Sequence, residues 1–344
     1  MTHIFTAKKI FMSLFLLTAT CFTATAASAQ TIKIATLSPG GSYWVKSFKE
    51  GADEIATRTE GRGKVKFYPG GVMGGDLTVL RKMNIGQLQG GAMAGGALYG
   101  QYPDASLLGI PFTFDSQEEM DFARKHLEAD IKNNALEKGF VILGVMGGGP
   151  AYILSQKKAK SFDDVKTHKV WVPDNDPQTA DTLKKLGLNP VPLGVGDVLT
   201  GLQTGLIDTV AASPVVAIAL QWHTRVHHMI KVPILYITGV LVLNQRDFKK
   251  LAADDQKIVQ EVFGRVAENI HQRNIQDNDK AYNAMIEQGI NIIEPQGADL
   301  KTWQDLKKEA RALILSDSQY NPKLMTKLET LKTEYKNLTA QKAH

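Results

Sequence analysis

The chain has 344 residues, a formal net charge of +5 and a single cysteine, Cys21. Lys and Arg are interleaved with Asp and Glu, and no basic run carries the aromatic residues of a nucleic-acid groove, so a nucleic-acid partner is excluded. A chain of this length exceeds what one hydrophobic core usually covers, which favours two lobes.

The first 29 residues are predicted to be a cleaved secretory signal peptide. Lys8 and Lys9 precede an apolar run, and a small-residue cleavage pattern ends at Ala29. Removal of this segment lowers the formal charge to +3 and removes Cys21, so disulfides and thiolate sites are excluded from the mature chain. No later segment has the length and apolar character of a membrane span, and we expect a periplasmic protein.

Strands and helices alternate along the first part of the mature chain. Short connections between them are typical of a parallel sheet with right-handed crossovers. The predicted elements here are strands at 31–37 and 64–69, a helix carrying Trp44, Phe48 and Ile55, a helix carrying Leu77, Leu80 and Met83, and a helix from Ser116 to Lys138 that Ser116 caps.

A second alternating set begins after a strand at 140–145 that enters the glycine cluster 147–149. The predicted strands are 151–157, 169–173, 189–193, 206–211 and 235–243; the predicted helices are 178–186, one ending at Gly205, and an unusually long, charged one at 254–288. The C-terminal stretch is predicted to be helical. The chain therefore repeats one kind of α/β unit in two places.

The glycine-rich segment 86–100 has two interpretations. Glycines in a buried strand end allow the backbone to approach another group closely. That group is either a packed helix or a ligand, and the second interpretation makes Ala94 and Gly95 candidate ligand contacts.

Enzyme signatures are missing from the sequence. There is no G-x-S-x-G elbow, H-E-x-x-H motif or Walker A motif, and Ser155 to Lys158 matches S-x-x-K without its companion motifs. His223 and His227 are four residues apart and would share a helical face suited to zinc. With no carboxylate at ligand spacing, the favoured interpretation is a helix that buries Trp222 and Met229 and leaves the histidines at a rim. No metal or cofactor is predicted.

Aromatic and small polar residues follow several predicted strands. Tyr43 and Trp44 come after a Ser-Pro-Gly-Gly-Ser loop, whose amides at a helix start could hold an anion. Trp171 stands at a strand end, and Ser213 follows another strand. Because open α/β sheets bind ligands at the carboxyl ends of their strands, these residues predict a ligand crevice.

The order of segments resembles the extracytoplasmic solute-binding proteins of tripartite ATP-independent periplasmic (TRAP) transporters, the DctP family. The similarity covers nearly the whole mature chain. It rests on IKIATLSPGGSYW, VKFYPGGVMGGDLTVLRKMNIGQLQGG, the Pro111-Phe112 pair, SFDDVKTHKVWVP, GVGDVLTGLQTGLIDTV and the helix that opens at AADDQKIV.

This resemblance implies an α/β fold with a two-lobed, periplasmic-binding-protein-like clamshell and a long lobe-spanning helix. The expected first lobe comprises 30–148 plus about 239–278, and the second comprises 149–238 plus about 279–344. The family captures a small solute, usually an organic acid, and delivers it to a permease with a small and a large membrane subunit. No catalysis is implied, and a monomer is expected.

The sequence departs from the family at the residues that would bind the solute. Typical members have an arginine that grips a carboxylate where this chain has Trp171, and a second arginine near Ala151 or Tyr152 is also absent. Ser213, ahead of Pro214, stands where an asparagine is common. The fold and the transport role carry over, whereas the carboxylate grip does not.

Two kinds of solute remain open. An acid could be held by the Gly40 to Ser42 amides, Ser213 and His223. A neutral, aromatic or lipid-like molecule could instead lie against four aromatic residues: Tyr43, Trp44, Trp171 and Trp222. Other functions that the sequence leaves open are a secreted hydrolase or metalloenzyme and a sensor-linked binding protein. The candidate ligand contacts are Ser42, Tyr43, Trp44, Asp76, Ala94, Gly95, Ala151, Tyr152, Trp171, Ser213, Pro214, Trp222 and His223.

Overall fold

A computed structural model describes residues 30–174, 176–316 and 319–342; the predicted signal peptide and Cys21 lie outside these residues. Nine strands form one sheet in the described part of the chain. They are β1 (Gln30–Thr36), β2 (Gly63–Tyr68), β3 (Gly90–Ala94), β4 (Phe140–Ser155), β5 (Lys169–Pro173), β6 (Asn189–Leu193), β7 (Thr209–Ala212), β8 (His228–Asn244) and β9 (Asn291–Ile293).

Helices cover both faces of this sheet. They are α1 (Tyr43–Arg58), α2 (Asp76–Asn84), α3 (Gln117–Glu137), α4 (Phe162–Val165), α5 (Pro177–Lys185), α6 (Val198–Thr204), α7 (Pro214–Ala219), α8 (Gln245–Phe248), α9 (Ala253–Glu287), α10 (Gly297–Ser316) and α11 (Pro322–Lys342). Short 3-10 helices lie at Gly95–Leu98, Pro103–Gly109, Val195–Asp197 and Trp222–Arg225.

The sheet has the order β2-β1-β3-β8-β4-β7-β5-β6, and β9 pairs with β8. The outer strands at each end are parallel: β1 with β2 and β3, and β5 with β6 and β7. Long antiparallel β4 and β8 join the two parallel sets. The predicted alternating α/β units are confirmed in both halves.

The described residues form four hydrophobic cores, two in each lobe. Around β1 and β3, one core contains Met83, Leu98 and Leu127, and the core on the other face contains Phe48, Phe67 and Phe263. Around β5 and β7, one core contains Phe162 and Trp303, and the other contains Leu202 and Trp222. Each lobe therefore contains one part of the sheet with a core on both of its faces, as the clamshell prediction requires.

The glycine cluster is where the sheet passes from one lobe to the other. The sequence predicts two strands separated by Gly147–Gly149, but β4 is one continuous strand of 16 residues. Its pairing with β8 shifts register between Gly147 and Gly149, and Gly149 has φ +89°. A bulge and a positive φ are conformations that glycine accommodates, so the glycines bend the strand without ending it.

The C-terminal segment divides between the lobes. Trp303, Leu306 and Ala310 of α10 lie in the core that also contains Phe162, in the second lobe. Leu328 of α11, however, packs with Leu127 of α3 in a core of the first lobe. The assignment of the whole segment 279–344 to the second lobe therefore needs this correction, and the other lobe boundaries stay predictions.

Candidate functional site

The carboxyl ends of both parallel strand sets carry the predicted site residues. In the first lobe, α1 begins after the loop that follows β1, and the Ser42 hydroxyl accepts a hydrogen bond from the Val45 N–H at 3.3 Å. The Ser42 N–H itself donates to the Pro39 carbonyl at 2.9 Å. Two donors at this helix start are thus already occupied, and the loop is a weaker anion cradle than the sequence suggests.

Trp44, in the first turn of α1, packs against β8 and α9. Its indole N–H donates to the Asn274 side-chain oxygen of α9 at 2.9 Å, and its six-membered ring lies close against Gly239 of β8. Any side chain at position 239 would meet the ring. The neighbouring Tyr43 is 40% exposed and has the Arg273 guanidinium over its ring at 5.5 Å. Trp44 is therefore fixed in place, whereas Tyr43 borders solvent.

Asp76 opens α2 beside the end of β3. Its carboxylate accepts a hydrogen bond from the Ala94 N–H at 3.2 Å. Burial raises the pKa of Asp76 to about 6; the Ala94 N–H acts in the opposite direction, and the Asp174 carboxylate of the second lobe adds to the rise. Since Asp174 directly follows β5, an acidic group at a strand end of the second lobe influences the Asp76 carboxyl of the first lobe.

Ala94 and Gly95 differ in what they can contribute. Ala94 is exposed at the end of β3, so its small side chain is accessible there. Gly95 is buried, and a Cβ there would lie 2.5 Å from the Ala105 carbonyl oxygen. The glycine at position 95 is explained by backbone packing, which supports the packing interpretation of that glycine.

Trp171 is partly buried and faces the α6–α7 side of the second lobe. Its indole N–H donates to the Leu193 carbonyl at the end of β6, at 2.9 Å. Its ring meets Trp222 edge to face, with ring centroids 5.1 Å apart and an interplanar angle of 70°. Trp222 is 2% exposed, so it supports Trp171 from behind and belongs to the core of this lobe.

Ser213 lies at the carboxyl end of β7, where α7 begins with Pro214. Its side chain is fully buried, and the hydroxyl has no hydrogen-bond partner in the described structure. A buried hydroxyl without a partner costs about 1–3 kcal/mol, so a ligand atom or water here would be stabilising. Among the predicted ligand contacts that the structure describes, Ser213 is the one whose buried side-chain oxygen lacks a hydrogen-bond partner.

Ala151 and Tyr152 lie on β4 beside the same strand end. Tyr152 pairs in register with Ala212, the residue before Ser213. Burial raises the pKa of the Tyr152 phenol, and the nearby Tyr282 adds to the effect. Ala151 is fully buried. The position that would carry the second family arginine is thus a small core residue followed by a neutral phenol.

The histidines do not share a helical face. The 3-10 helix that contains His223 ends at Arg225, and the following residues lead directly into β8, which contains Met229. The predicted helix spanning positions 222–229 is therefore wrong, because the β8 ladder extends further towards the N-terminus than expected. The ring of His223 contacts the Ala217 carbonyl at 3.1 Å. No metal-binding group of three His, Cys, Asp or Glu residues occurs within the described ranges.

The structure brings the candidate residues together in two groups, one per lobe. Ser42, Tyr43, Trp44, Asp76, Ala94 and Gly95 lie at the strand ends of the first lobe, and Ala151, Tyr152, Trp171, Ser213, Pro214, Trp222 and His223 lie at those of the second. Whether each contacts a solute stays a prediction.

Sequence reasoning missed three buried polar residues on α9. His271, Asn274 and Asn278 are almost fully buried and hydrogen-bond to Gly147 or Gly148 of β4. These glycines belong to the glycine crossing, residues 147–149, where β4 passes from one lobe to the other. The spacing of the three α9 residues, three and four positions apart, places them on one helical face. A polar stripe at a core spacing on the long helix was the signal that could have identified them.

Comparison with protein-family models matches residues 34–315 to the bacterial extracellular solute-binding proteins, family 7 (DctP). The chain is similar to a solute-binding protein of Roseobacter denitrificans, 31% identical over 196 residues that are 55% of this chain and 60% of that protein. It is also similar to the sialic acid-binding periplasmic protein SiaP of Vibrio cholerae, 23% identical over 87% of this chain and 92% of that protein.

Solved structures give the same fold. A TRAP periplasmic solute-binding protein from Haemophilus influenzae with bound L-gulonate has a TM-score of 0.80 at 18% identity, covering 88% of this chain and 99% of that one. One from Xanthobacter autotrophicus with bound β-D-galacturonate has a TM-score of 0.79 at 19% identity, with the same coverage. Across the described residues, none of the helices is both long and apolar enough to cross a membrane.

Proposed function

Because this chain belongs to the DctP family of bacterial extracellular solute-binding proteins, we propose that it captures a small solute between its lobes and delivers it to a TRAP permease. The partners in this proposal are the small and the large membrane subunits of the permease, and the protein acts as a monomer without catalysis. The signal peptide predicted at 1–29 supports a periplasmic location for this protein. The family match gives no support to the alternative of a hydrolase or metalloenzyme.

The solute in this proposal is a neutral molecule that combines hydrogen-bond donors with an apolar face. The observation that carries the proposal is the environment of position 171. An indole whose N–H is bound to the Leu193 carbonyl offers a flat apolar surface and no positive charge. A guanidinium at this position would offer a bidentate carboxylate grip, which an indole cannot replace.

Two further features support a neutral solute. Asp76 and Asp174 are acidic groups at a strand end of each lobe, where they would repel a carboxylate of the solute and accept hydrogen bonds from its hydroxyl or amine groups. The buried Ser213 hydroxyl can donate to or accept from a polar group of the solute. The bound acids of the related structures therefore do not transfer directly to this chain.

The first experiment is mass spectrometry of the small molecule that co-purifies with the protein. Titration calorimetry then compares D-glucuronate with D-glucuronamide, which has the same shape without the negative charge, and adds succinate. We expect the co-purifying solute to be neutral and the amide to bind better than the acid. Tight binding of succinate or D-glucuronate by the native protein would overturn the neutral-solute proposal.

Trp171→Ala tests the carrying observation. Truncation of a buried aromatic anchor costs about 2–4 kcal/mol of binding energy, or roughly 30-fold to 1,000-fold in affinity for the co-purified solute. Trp303→Phe is the matched control, because it alters a buried tryptophan in another core of the same lobe. Unchanged affinity with a lowered melting temperature in Trp171→Ala would show that the ring serves the core alone.

A further inference from the structure

Two asparagines of α9 bind the glycine crossing of β4. The Asn274 amide donates to the Gly147 carbonyl at 2.7 Å, and the Asn278 amide donates to the Gly148 carbonyl at 3.0 Å. The two side chains are also linked, since Asn278 donates to the Asn274 main-chain carbonyl at 2.9 Å. The helix is thus attached to β4 at the residues where that strand changes lobes.

The oxygen atoms of the same two amides bind one group from each lobe. The Asn274 oxygen accepts the Trp44 indole N–H of the first lobe at 2.9 Å. The Asn278 oxygen accepts the Val215 N–H at 3.2 Å, in the first turn of α7 in the second lobe. Val215 lies two residues after Ser213. Each asparagine therefore connects the crossing strand to an element that carries a predicted ligand contact.

This arrangement has little freedom to change. Asn274 is 2% exposed and Asn278 is 5% exposed, so an unpaired amide at either position would be costly. A Cβ at Gly149 would lie 2.1 Å from the Asn278 amide nitrogen. Only a glycine leaves room for the amide, and both polar ends of each asparagine are in use.

We propose that Asn274 and Asn278 are positioning residues for solute capture, which fix the relative placement of Trp44 and the start of α7 through the β4 crossing. Bending of β4 moves the carbonyls of Gly147 and Gly148, and the amides transmit that movement to both sides of the crevice. The inference rests on the proposed capture between lobes, but its structural part applies to the protein without solute.

The test measures the distance between the lobes in solute-free protein. Spin labels are attached at Lys64→Cys and Lys184→Cys, two exposed sites on different lobes of the mature chain, which has no other cysteine. We expect Asn278→Leu to give about a twofold broader interlobe distance distribution in electron-electron double resonance, because the crossing is no longer tied to α7. Val266→Ala is the matched control, since it removes buried packing from the same helix but touches no crossing contact.

Substitutions at position 274 distinguish the role of the amide oxygen, which accepts from Trp44, from that of the amide nitrogen, which donates to Gly147. Asn274→Asp keeps an oxygen for the Trp44 indole but loses the donor to the Gly147 carbonyl, whereas Asn274→Leu loses both. In ¹H–¹⁵N spectra, we expect the Trp44 indole resonance to stay protected from hydrogen exchange in Asn274→Asp and to exchange at least tenfold faster in Asn274→Leu. The distance distribution should broaden in both variants.

The proposal is overturned if Asn278→Leu and Val266→Ala give the same distance distribution, even when both lower the melting temperature. Exchange of the Trp44 indole that is equal in both position-274 variants would remove the link to the first lobe. Calorimetry with the co-purified solute is a separate arm. If no solute binds the native protein while the distance results hold, the capture proposal fails and the positioning of the lobes stands.

Discussion

Replacing Gly149 by alanine should destabilise the protein more than any ordinary glycine-to-alanine change at a positive φ. Gly149 has φ +89°, a conformation that costs an L-residue about 1–2 kcal/mol. The new methyl group would also lie 2.1 Å from the Asn278 amide nitrogen. Since Asn278 is buried, its side chain cannot move without breaking the bonds to Gly148 and Val215.

The magnitude follows from the bonds that would be lost. Two buried hydrogen bonds of about 1 kcal/mol each, with partners left unsatisfied, give about 2–3 kcal/mol beyond the backbone strain. The total for Gly149→Ala is therefore about 3–5 kcal/mol. Gly139→Ala is the matched control: Gly139 has φ +81°, and a Cβ there meets no atom within 4 Å, so it should cost only about 1–2 kcal/mol.

Urea unfolding followed by circular dichroism measures both free energies of unfolding. The double variant Gly149→Ala with Asn278→Ala completes a cycle in which the clash is absent, and its destabilisation should be less than additive by at least about 1 kcal/mol. Equal destabilisation in Gly149→Ala and Gly139→Ala would refute the reasoning, because it would show that the Asn278 amide does not constrain position 149.

Three other predictions concern charged groups. The Asp76 carboxyl should titrate near pH 6 by ¹³C NMR, and Asp174→Asn should lower that pKa by removing a like charge. An unchanged Asp76 pKa in Asp174→Asn would show that the Asp174 carboxylate does not influence this group. The raised pKa means that the folded state binds this proton more tightly than the unfolded state does. The Asp76 carboxyl therefore lowers the free energy of unfolding as the pH rises from about 4 to 6. In urea unfolding, Asp76→Asn should accordingly stabilise the protein more at pH 7.5 than at pH 4. Arg311 of α10 donates a hydrogen bond to the Thr113 hydroxyl at 2.7 Å and forms an ion pair with Glu329 of α11. Arg311→Met should therefore lower the free energy of unfolding by about 1.5–3 kcal/mol. An equal loss of stability in the exposed control Lys257→Met would argue against a specific contact of Arg311.

Local sequence signals predicted most elements correctly because they depend on neighbouring residues. The Ser116 cap of α3 accepts from the Glu119 N–H, as its capping pattern indicates, and α9 is the long helix that its periodicity predicts. The errors fall where pairing between distant strands overrides local preference. Glycines 147–149 read as a break, yet β8 supplies partners along the whole of β4; Met229 read as helical, yet it pairs with Leu154.

The candidate site was predictable in position but not in chemistry. Strand ends in α/β units are identifiable from the sequence, so residues such as Trp171 and Ser213 could be chosen in advance. Their bonding was not identifiable. The Leu193 carbonyl that binds the Trp171 indole and the missing partner of the Ser213 hydroxyl both depend on elements brought together only by folding.

The sequence by itself determined the family, the repeated α/β units and the replacement of a carboxylate-binding arginine by Trp171, because these are properties of residue order and identity. Only the tertiary structure decided that Trp171 packs on Trp222, that burial raises the pKa of Asp76, and that Asn274 and Asn278 bind the crossing of β4. The physical reason is that burial and hydrogen-bond partners are set by long-range contacts, which no local pattern encodes.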